Sequence, residues 1–360
     1  MSTKFYPLRV RALRRETADT VSVAFEVPEA LRATFQFTQG QYLTLRTTLD
    51  GEEVRRSYSI CTGTHENELR VAVKRVDEGV FSAYANHQLQ VGDTLDVMPP
   101  QGRFFTKLDA AQTRLYVGFV AGSGITPVMS ILKTTLVQEP QSHFLLFYGN
   151  RGFDHIVFRE QLEALKNLYP DRLAVHHVLS RESLGSDLFY GRLNGDKCRA
   201  YARLLFRPAE VDAFFLCGPE DMVFDIKSVL EELHVPAQKI HFELFTTART
   251  GGLSRRPTPA DASRPSSFDA SVTVIQDGTQ FDFQLPSDGS TLLDAAMRAG
   301  ADLPFSCKGG VCSTCKARLL EGQVDMDVSY GLEPDEVAAG YVLTCQSHPK
   351  TQRVVVSFDA

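Results

Sequence analysis

The stretch "SCKGGVCSTCKA", Ser306 to Ala317, holds three cysteines within nine residues. Cys307, Cys312 and Cys315 read C-x4-C-x2-C, and a fourth cysteine, Cys345, follows in "VLTCQSH". Four thiolates can balance two ferric ions bridged by two sulfides, and this spacing is one that holds a [2Fe–2S] cluster. Gly309 and Gly310 let the backbone curl closely, so that amide N–H groups can point at the sulfurs. Zinc is the competing metal, but it usually draws on two C-x-x-C knuckles, and one is present here. Cys61, Cys198 and Cys217 lie outside the loop.

Three other stretches carry residues suited to binding and redox chemistry. In "RRSYSI", strand alternation would put Arg56 and Tyr58 on one face and Ser59 on the other. That face could set a cation against a pyrophosphate and an aromatic ring against a planar cofactor. "VKRVDEGVFSAY" adds Gly79 and Ser82 at a helix start that could bind phosphate. "VAGSGITP" follows an apolar strand and opens a helix, with Gly122, Gly124 and Thr126 as candidate nucleotide contacts. Pro127 stands where G-x-G-x-x-G would have its third glycine, a place that suits a first helical turn. "FLCGPEDM" sets Cys217, Gly218 and Pro219 at the end of another buried strand, where the plain alternative is a small apolar thiol. In "VLSRE", Ser180 and Arg181 follow a strand, and a guanidinium suits a 2′-phosphate. Arg151 of "YGNR" is a second cation for that group, and Glu182 is an unfavourable neighbour.

The elements that must position these residues change character along the chain. Residues 1–106 read as short alternating strands with turns between them, an antiparallel β-barrel. Residues 107–245 alternate apolar strands with helical stretches, an α/β doubly wound parallel sheet. Residues 246–267, rich in Gly, Ser, Pro and Arg, read as a flexible linker. Residues 268–360 begin with a hairpin turned by Asp277-Gly278, then a helix with Ser290 as N-cap and Gly300 as its stop. The chain has 360 residues and a net charge of −6. All of that excess lies after residue 267, where thirteen Asp and Glu face six Lys and Arg. That balance argues against a nucleic acid partner for the last segment. No window is apolar enough for a membrane span, and no signal-peptide core opens the chain, so a cytoplasmic location is expected.

Arg56, Tyr58, Ser59, Gly79 and Ser82, with "AGSGITP" and "FLCGPEDM", resemble the ferredoxin–NADP reductase superfamily. The last segment resembles the α+β β-grasp fold of plant-type ferredoxins. The resemblance implies FAD, held by Arg56 and the Gly79–Ser82 turn, stacked by Tyr58 and bonded near N5 by Ser59. It implies that Cys217 lies by the nicotinamide, and that Glu243 and Phe245 return to the flavin. It implies NADPH, with Ser180 and Arg181 at the 2′-phosphate, and a cluster on Cys307, Cys312, Cys315 and Cys345. The order flavin, nucleotide, ferredoxin is similar to the reductase components of multicomponent oxygenases. A nicotinamide gives two electrons as hydride, a cluster accepts one at a time, and a flavin does both. The implied partner is a separate di-iron oxygenase or epoxidase complex. Relatives that use NADH or FMN, or serve another oxygenase, remain alternatives, as does an electron-carrier or redox-sensing module without turnover.

Overall fold

The computed structural model describes residues 4–183, 185–245 and 268–360; the expected linker, 246–267, lies outside them. The chain divides into two compact units, residues 1–54 with 58–245, and residues 55–57 with 246–360. Among the described residues no helix is long and apolar enough to cross a membrane.

The first unit opens with six antiparallel strands: β1 (Tyr6–Thr17), β2 (Thr20–Glu26), β3 (Tyr42–Leu49), β4 (Glu52–Ser59), β5 (Leu69–Lys74) and β6 (Thr94–Val97). They lie in the order β4-β3-β6-β1-β2-β5. Just past β4, Ile60 bridges to Val71 of β5, and the Cys61 N–H donates to the Arg70 carbonyl at 3.0 Å. These bonds join the two outer strands, so the sheet closes on itself and hides its edges. Inward-facing Leu8, Val10, Val23, Leu43, Leu45, Val71 and Val97 fill the barrel. Helix α1 (Val80–His87) buries Phe81 and Ala85 in the same core. Strand β1 is hard to read from the sequence, because the Leu8–Arg11 alternation is broken by adjacent arginines at 14 and 15.

The same unit continues as β7 (Leu115–Ala121), α2 (Ile125–Gln138), β8 (His143–Asn150), α3 (Arg159–Leu168), β9 (Leu173–Leu179), α4 (Gly195–Leu204), β10 (Ala213–Gly218), α5 (Glu220–Glu232) and β11 (Ile240–Leu244). All five strands are parallel, in the order β11-β10-β7-β8-β9. Helices cover both faces, which is why β7, β8 and β10 are nearly unbroken apolar runs. The order reverses between β7 and β10, the point at which open α/β sheets take their ligands. Cys61, Ala72 and Phe104 from the barrel belong to the same core cluster as α2 and this sheet. Helix α4 is short and largely polar, which hides it in the sequence; Asn194 caps it by accepting from the Lys197 N–H at 3.0 Å.

The second unit contains β12 (Asp269–Gln276), β13 (Thr279–Pro286), α6 (Leu292–Arg298), β14 (Lys316–Glu321), β15 (Val324–Met326), α7 (Pro334–Ala338), β16 (Tyr341–Leu343), β17 (Ser347–Pro349) and β18 (Arg353–Ser357). The mixed sheet runs β13-β12-β18-β14-β16, with β12 and β18 parallel. The β12–β13 hairpin turns at Asp277-Gly278, both in the left-handed region. Leu292, Leu293 and Ala296 of α6 pack on Val272, Val274, Val354 and Val356. This helix begins one residue later than its sequence suggests. Thr291, not Ser290, is the N-cap, and its hydroxyl accepts from the Asp294 N–H at 3.3 Å. Ser290 is instead bonded by Arg298 from the helix's last turn. Thr291→Ala should therefore cost this unit about 1 kcal/mol, and Ser290→Ala less. Chemical unfolding of the two variants checks the difference; a larger loss for Ser290→Ala would return the cap to that residue.

Candidate active site and cluster loop

The glycine turn after β7 is a single turn of 3-10 helix, Gly122–Gly124, that leads directly into α2. Its two glycines do different work. A Cβ on Gly124 would stand 2.2 Å from the Cys217 carbonyl oxygen, so only glycine lets the turn press against the end of β10. Gly122 has φ +55° and faces open space, with only Lys74 Nζ near at 4.0 Å from where a Cβ would be. Its carbonyl accepts from the Tyr148 hydroxyl at 3.1 Å. Thr126 is buried and donates to the Ser123 carbonyl at 3.0 Å, bracing the turn. Pro127 falls in the first turn of α2 as its ring geometry favours.

The end of β10 brings Cys217 and Gly218 beside this turn, and Pro219 caps α5. Cys217 pairs with Glu243 of β11 across the parallel register. Ser59, buried at the end of β4, donates to Glu243 Oε1 at 3.2 Å. Glu243 Oε2 is sealed from solvent and has no hydrogen-bond partner. Burial pushes the Glu243 carboxyl up to about 8, against the opposing effect of the Ser59 bond. Burial, with the Glu243 carboxyl beside it, also raises the Cys217 thiol well above its ordinary value. The site thus joins the end of a barrel strand to the switch point of the parallel sheet. It holds a proton at Glu243 and an orphaned oxygen that a bound group can satisfy, which fits a flavin and a nicotinamide meeting there.

The other residues expected at the flavin lie on the barrel, except Phe245, which follows β11. The half-buried Tyr58 ring leans on Phe81 with centroids 5.4 Å apart. Arg56 is half-buried in β4, and its guanidinium donates to the Arg55 carbonyl at 2.7 Å. Gly79 is the N-cap of α1, and Ser82 Oγ binds the turn from inside, accepting from the Val76 N–H at 3.2 Å and donating to the Gly79 carbonyl at 3.0 Å. Phe245, 36% exposed, ends the described part of this unit.

At the far end of the sheet, Ser180 and Arg181 leave β9 beside Asn150 and Arg151. The Ser180 N–H donates to the Asn150 carbonyl at 3.0 Å and the Arg181 N–H to the Arg151 carbonyl at 2.9 Å. Both arginine side chains are exposed, so two guanidinium groups stand on neighbouring strand ends. Glu182 is engaged locally: its Oε2 accepts from the Phe153 N–H at 3.1 Å.

In the second unit the cluster loop curls around its own cysteines. The Gly309 N–H points at Cys307 Sγ, 3.3 Å away, and the Val311 and Cys312 amides act on the same sulfur. The Cys312 thiol, followed by these amides, holds Cys307 below its usual range. Cys312 also takes a bond from Thr314, and Gln346 Nε2 lies 3.7 Å from Cys345 Sγ. Gly310 has φ +74°, and a Cβ there would meet Val328 at 2.9 Å, so the close curl requires glycine. The sulfurs stand as two pairs, Cys307 with Cys312 and Cys315 with Cys345. Among the described residues, no three or more His, Cys, Asp or Glu gather as ligands of one ion. Two thiol pairs lined with amide donors fit a binuclear cluster that takes two thiolates per iron.

Titration of Glu243 gives a test. The native protein keeps this proton up to about pH 8, whereas the unfolded chain releases it near the ordinary 4.5. Its contribution therefore lowers stability as pH rises through that window, by at most about 1.4 kcal/mol per pH unit. Glu243→Gln removes the dependence, so the variant should gain on the parent from about pH 5 to about pH 8. Urea unfolding of both proteins across the range checks this, and parallel stability curves would show an ionised carboxylate.

Comparison with known proteins agrees with this geometry. Residues 7–106 match an oxidoreductase FAD-binding domain, residues 119–228 an oxidoreductase NAD-binding domain, and residues 274–350 a 2Fe-2S iron-sulfur cluster binding domain. The chain is 44% identical to a subunit of 1,2-phenylacetyl-CoA epoxidase from Escherichia coli (strain K12), over 99% of each chain. It is 35% identical to the ferredoxin reductase component of 3-ketosteroid-9-alpha-monooxygenase from Rhodococcus rhodochrous, over 98% of this chain and 96% of that one. The solved structure of phthalate dioxygenase reductase shares the fold, at 23% identity, 98% of both chains and a TM-score of 0.60. A FAD domain, a nucleotide domain and a [2Fe–2S] domain in one chain, matched end to end by such relatives, place this protein in the family of that 1,2-phenylacetyl-CoA epoxidase subunit and the monooxygenase ferredoxin reductase component.

Proposed function

We propose that the protein carries electrons from NADPH through FAD and a [2Fe–2S] cluster to a di-iron oxygenase, 1,2-phenylacetyl-CoA epoxidase. The observation that carries this reading is the 44% identity to a chain of that epoxidase across both full lengths. Residues 1–106 form the flavin domain, 107–245 the nucleotide domain and 268–360 the ferredoxin domain, with 246–267 as the linker. The nucleotide supplies hydride, the flavin divides the electron pair, and the cluster passes single electrons on. The chain's own residues bind and orient these groups. Arg56 and the N-terminus of α1 at Gly79 hold the flavin phosphates, and Tyr58 and Phe245 lie against its ring. Ser59 and Glu243 address N5, with the Glu243 proton as the buried reserve. Gly122, Thr126, Gly218 and Pro219 shape the floor for nicotinamide and pyrophosphate beside Cys217, while Gly124 brings that floor against β10. Cys307, Cys312, Cys315 and Cys345 ligate the irons. The thiolate ligands and the NADPH supply are those of the cytoplasm.

NADPH is favoured by Ser180, Arg181 and Arg151 at adjoining strand ends, where paired guanidinium groups suit a phosphate dianion. Arg181→Gln should weaken NADPH binding about tenfold or more and leave NADH binding nearly unchanged. Nucleotide titrations of the flavin-loaded protein check this, and equal losses would assign the arginine a general role.

The function is tested by reconstitution. The purified protein with NADPH should restore product formation by the epoxidase and not by a ketosteroid hydroxylase. Cys312→Ser should lose the visible iron–sulfur absorbance and the delivery of electrons, yet keep FAD and its reduction by NADPH. An intact cluster spectrum in that variant, or equal service to unrelated oxygenases, would contradict the reading.

A further inference from the structure

Helix α2 is an apolar helix by most of its surface. Val128, Met129, Ile131, Leu132 and Leu136 are all buried. Four of its polar side chains, Ser130, Lys133, Thr134 and Gln138, nevertheless lie along one stripe of its surface. All four are engaged with the segment 62–66, just beyond β4. Ser130 Oγ donates to the Thr62 carbonyl at 2.6 Å. The Thr64 N–H donates to Thr134 Oγ1 at 3.2 Å, and that hydroxyl donates to the Ser130 carbonyl at 2.7 Å. Lys133 Nζ lies 3.0 Å from one Glu66 oxygen and 3.1 Å from the other, and also meets Gln161 Oε1 at 3.1 Å. Gln138 Nε2 donates to Thr64 Oγ1 at 2.9 Å. The segment is braced within itself, since the Gly63 N–H donates to Glu66 at 2.8 Å and the Thr62 hydroxyl to the Glu68 carbonyl at 2.7 Å.

Ser130 and Thr134 are wholly buried and Lys133 is 8% exposed, so these groups cost desolvation that only their partners offset. Apolar contacts already hold α2 against the barrel. Hydrogen bonds add direction, and direction fixes one register between two surfaces that greasy contact would let slide. Both ends of the seam lead to the active site. α2 starts immediately after the Gly122–Gly124 turn, and Thr62 is three residues beyond Ser59.

We propose that this polar seam is a positioning device for hydride transfer, holding the nicotinamide-binding turn in register with the flavin-binding strand. Ser130, Lys133 and Thr134 touch neither cofactor and act through α2 and the 62–66 segment. The inference rests on the proposed function. The reaction moves one hydrogen with its electron pair from the nicotinamide to the flavin, which leaves the nucleotide oxidised and the flavin reduced by two electrons. Its rate depends steeply on the approach of donor and acceptor, and a shift of about 1 Å can cost about a hundredfold. A cavity of about 560 Å³ flanks the seam and is lined in part by Lys133, Glu66, Gln161 and Arg70. Glu66 can therefore hydrate when its partner is removed, so a Lys133 variant has a route to folding.

The test uses the full chain with FAD and cluster, and its preferred nicotinamide nucleotide, in anaerobic stopped flow. Lys133→Met and the pair Ser130→Ala with Thr134→Val should slow flavin reduction about ten- to a hundredfold. FAD content and nucleotide Kd should stay near those of the parent. The long-wavelength absorbance that reports nicotinamide stacked on flavin should weaken, and amide hydrogen exchange at 62–66 should quicken. Lys133→Arg, which keeps the ion pair, should restore both rate and absorbance. Parent-like rates and absorbance in the variants would overturn the proposal. So would a slowing matched by lost FAD or nucleotide affinity, which marks a merely structural role. If the double variant does not fold, Ser130→Ala alone decides by the same readouts. Failure of the parent itself to reduce its flavin with either nucleotide would refute the proposed function instead.

Discussion

The contact on which the active site depends is between two backbones. Gly124, at the turn after β7, lies against the Cys217 carbonyl at the end of β10, closer than any side chain would permit. These strands are neighbours at the reversal of strand order, so the chain leaves them toward opposite faces of the sheet. The starts of α2 and α5 flank this point, with the Gly122–Gly124 turn on one side and Cys217–Pro219 on the other. Glu243 enters from β11 because β11 runs in register beside β10. Ser59 enters from the barrel because the barrel shares a core with α2. Loosening the contact at Gly124 would move all of these groups at once.

The seven cysteines show how surroundings decide what a thiol can do. Burial pushes the Cys61 and Cys198 thiols up to about 12, so they behave as small packing residues. Cys217, fully buried beside Glu243 at the end of β10, is raised as well. Cys307 is moved the other way by a neighbouring thiol and by backbone N–H groups aimed at its sulfur. Two local devices produce this contrast: continuous apolar packing in the first unit, and in the second a tight curl that turns amides inward. The same curl is why Gly310 is a glycine, since Val328 closes over it.

Charge follows the same division of labour. Burial raises the Glu243 carboxyl to about 8, with only the Ser59 hydroxyl bond acting against it. Arg151 and Arg181 stand exposed at neighbouring strand ends, where a solvated anion can be gripped at little desolvation cost. The ferredoxin segment carries thirteen acidic against six basic residues. Such a surface favours association with a basic face of a partner, chiefly through the rate of encounter.

A few consecutive residues can impose a local backbone path, and the chain order alone reached as far as such paths go. Three cysteines within nine residues, a glycine turn between strand and helix, and an Asp-Gly hairpin are of this kind, so the cluster loop, the nucleotide turn and the order of the three folds were legible there. Strand β1 and helix α4 were not, because their charged residues mask the periodicity that packing later reveals. The N-cap moved from Ser290 to Thr291 because the helix start is chosen by how α6 seats on its sheet, and both residues can cap. The resemblance sent Ser59 and Glu243 separately to the flavin, but neither the bond between them, 184 residues apart, nor the polar seam between Ser130 and Thr62, 68 residues apart, was expected. Neither spacing carries a signal in sequence. Contacts of that range exist only once separate cores have packed, and it is the packing that settles which buried polar group finds which partner.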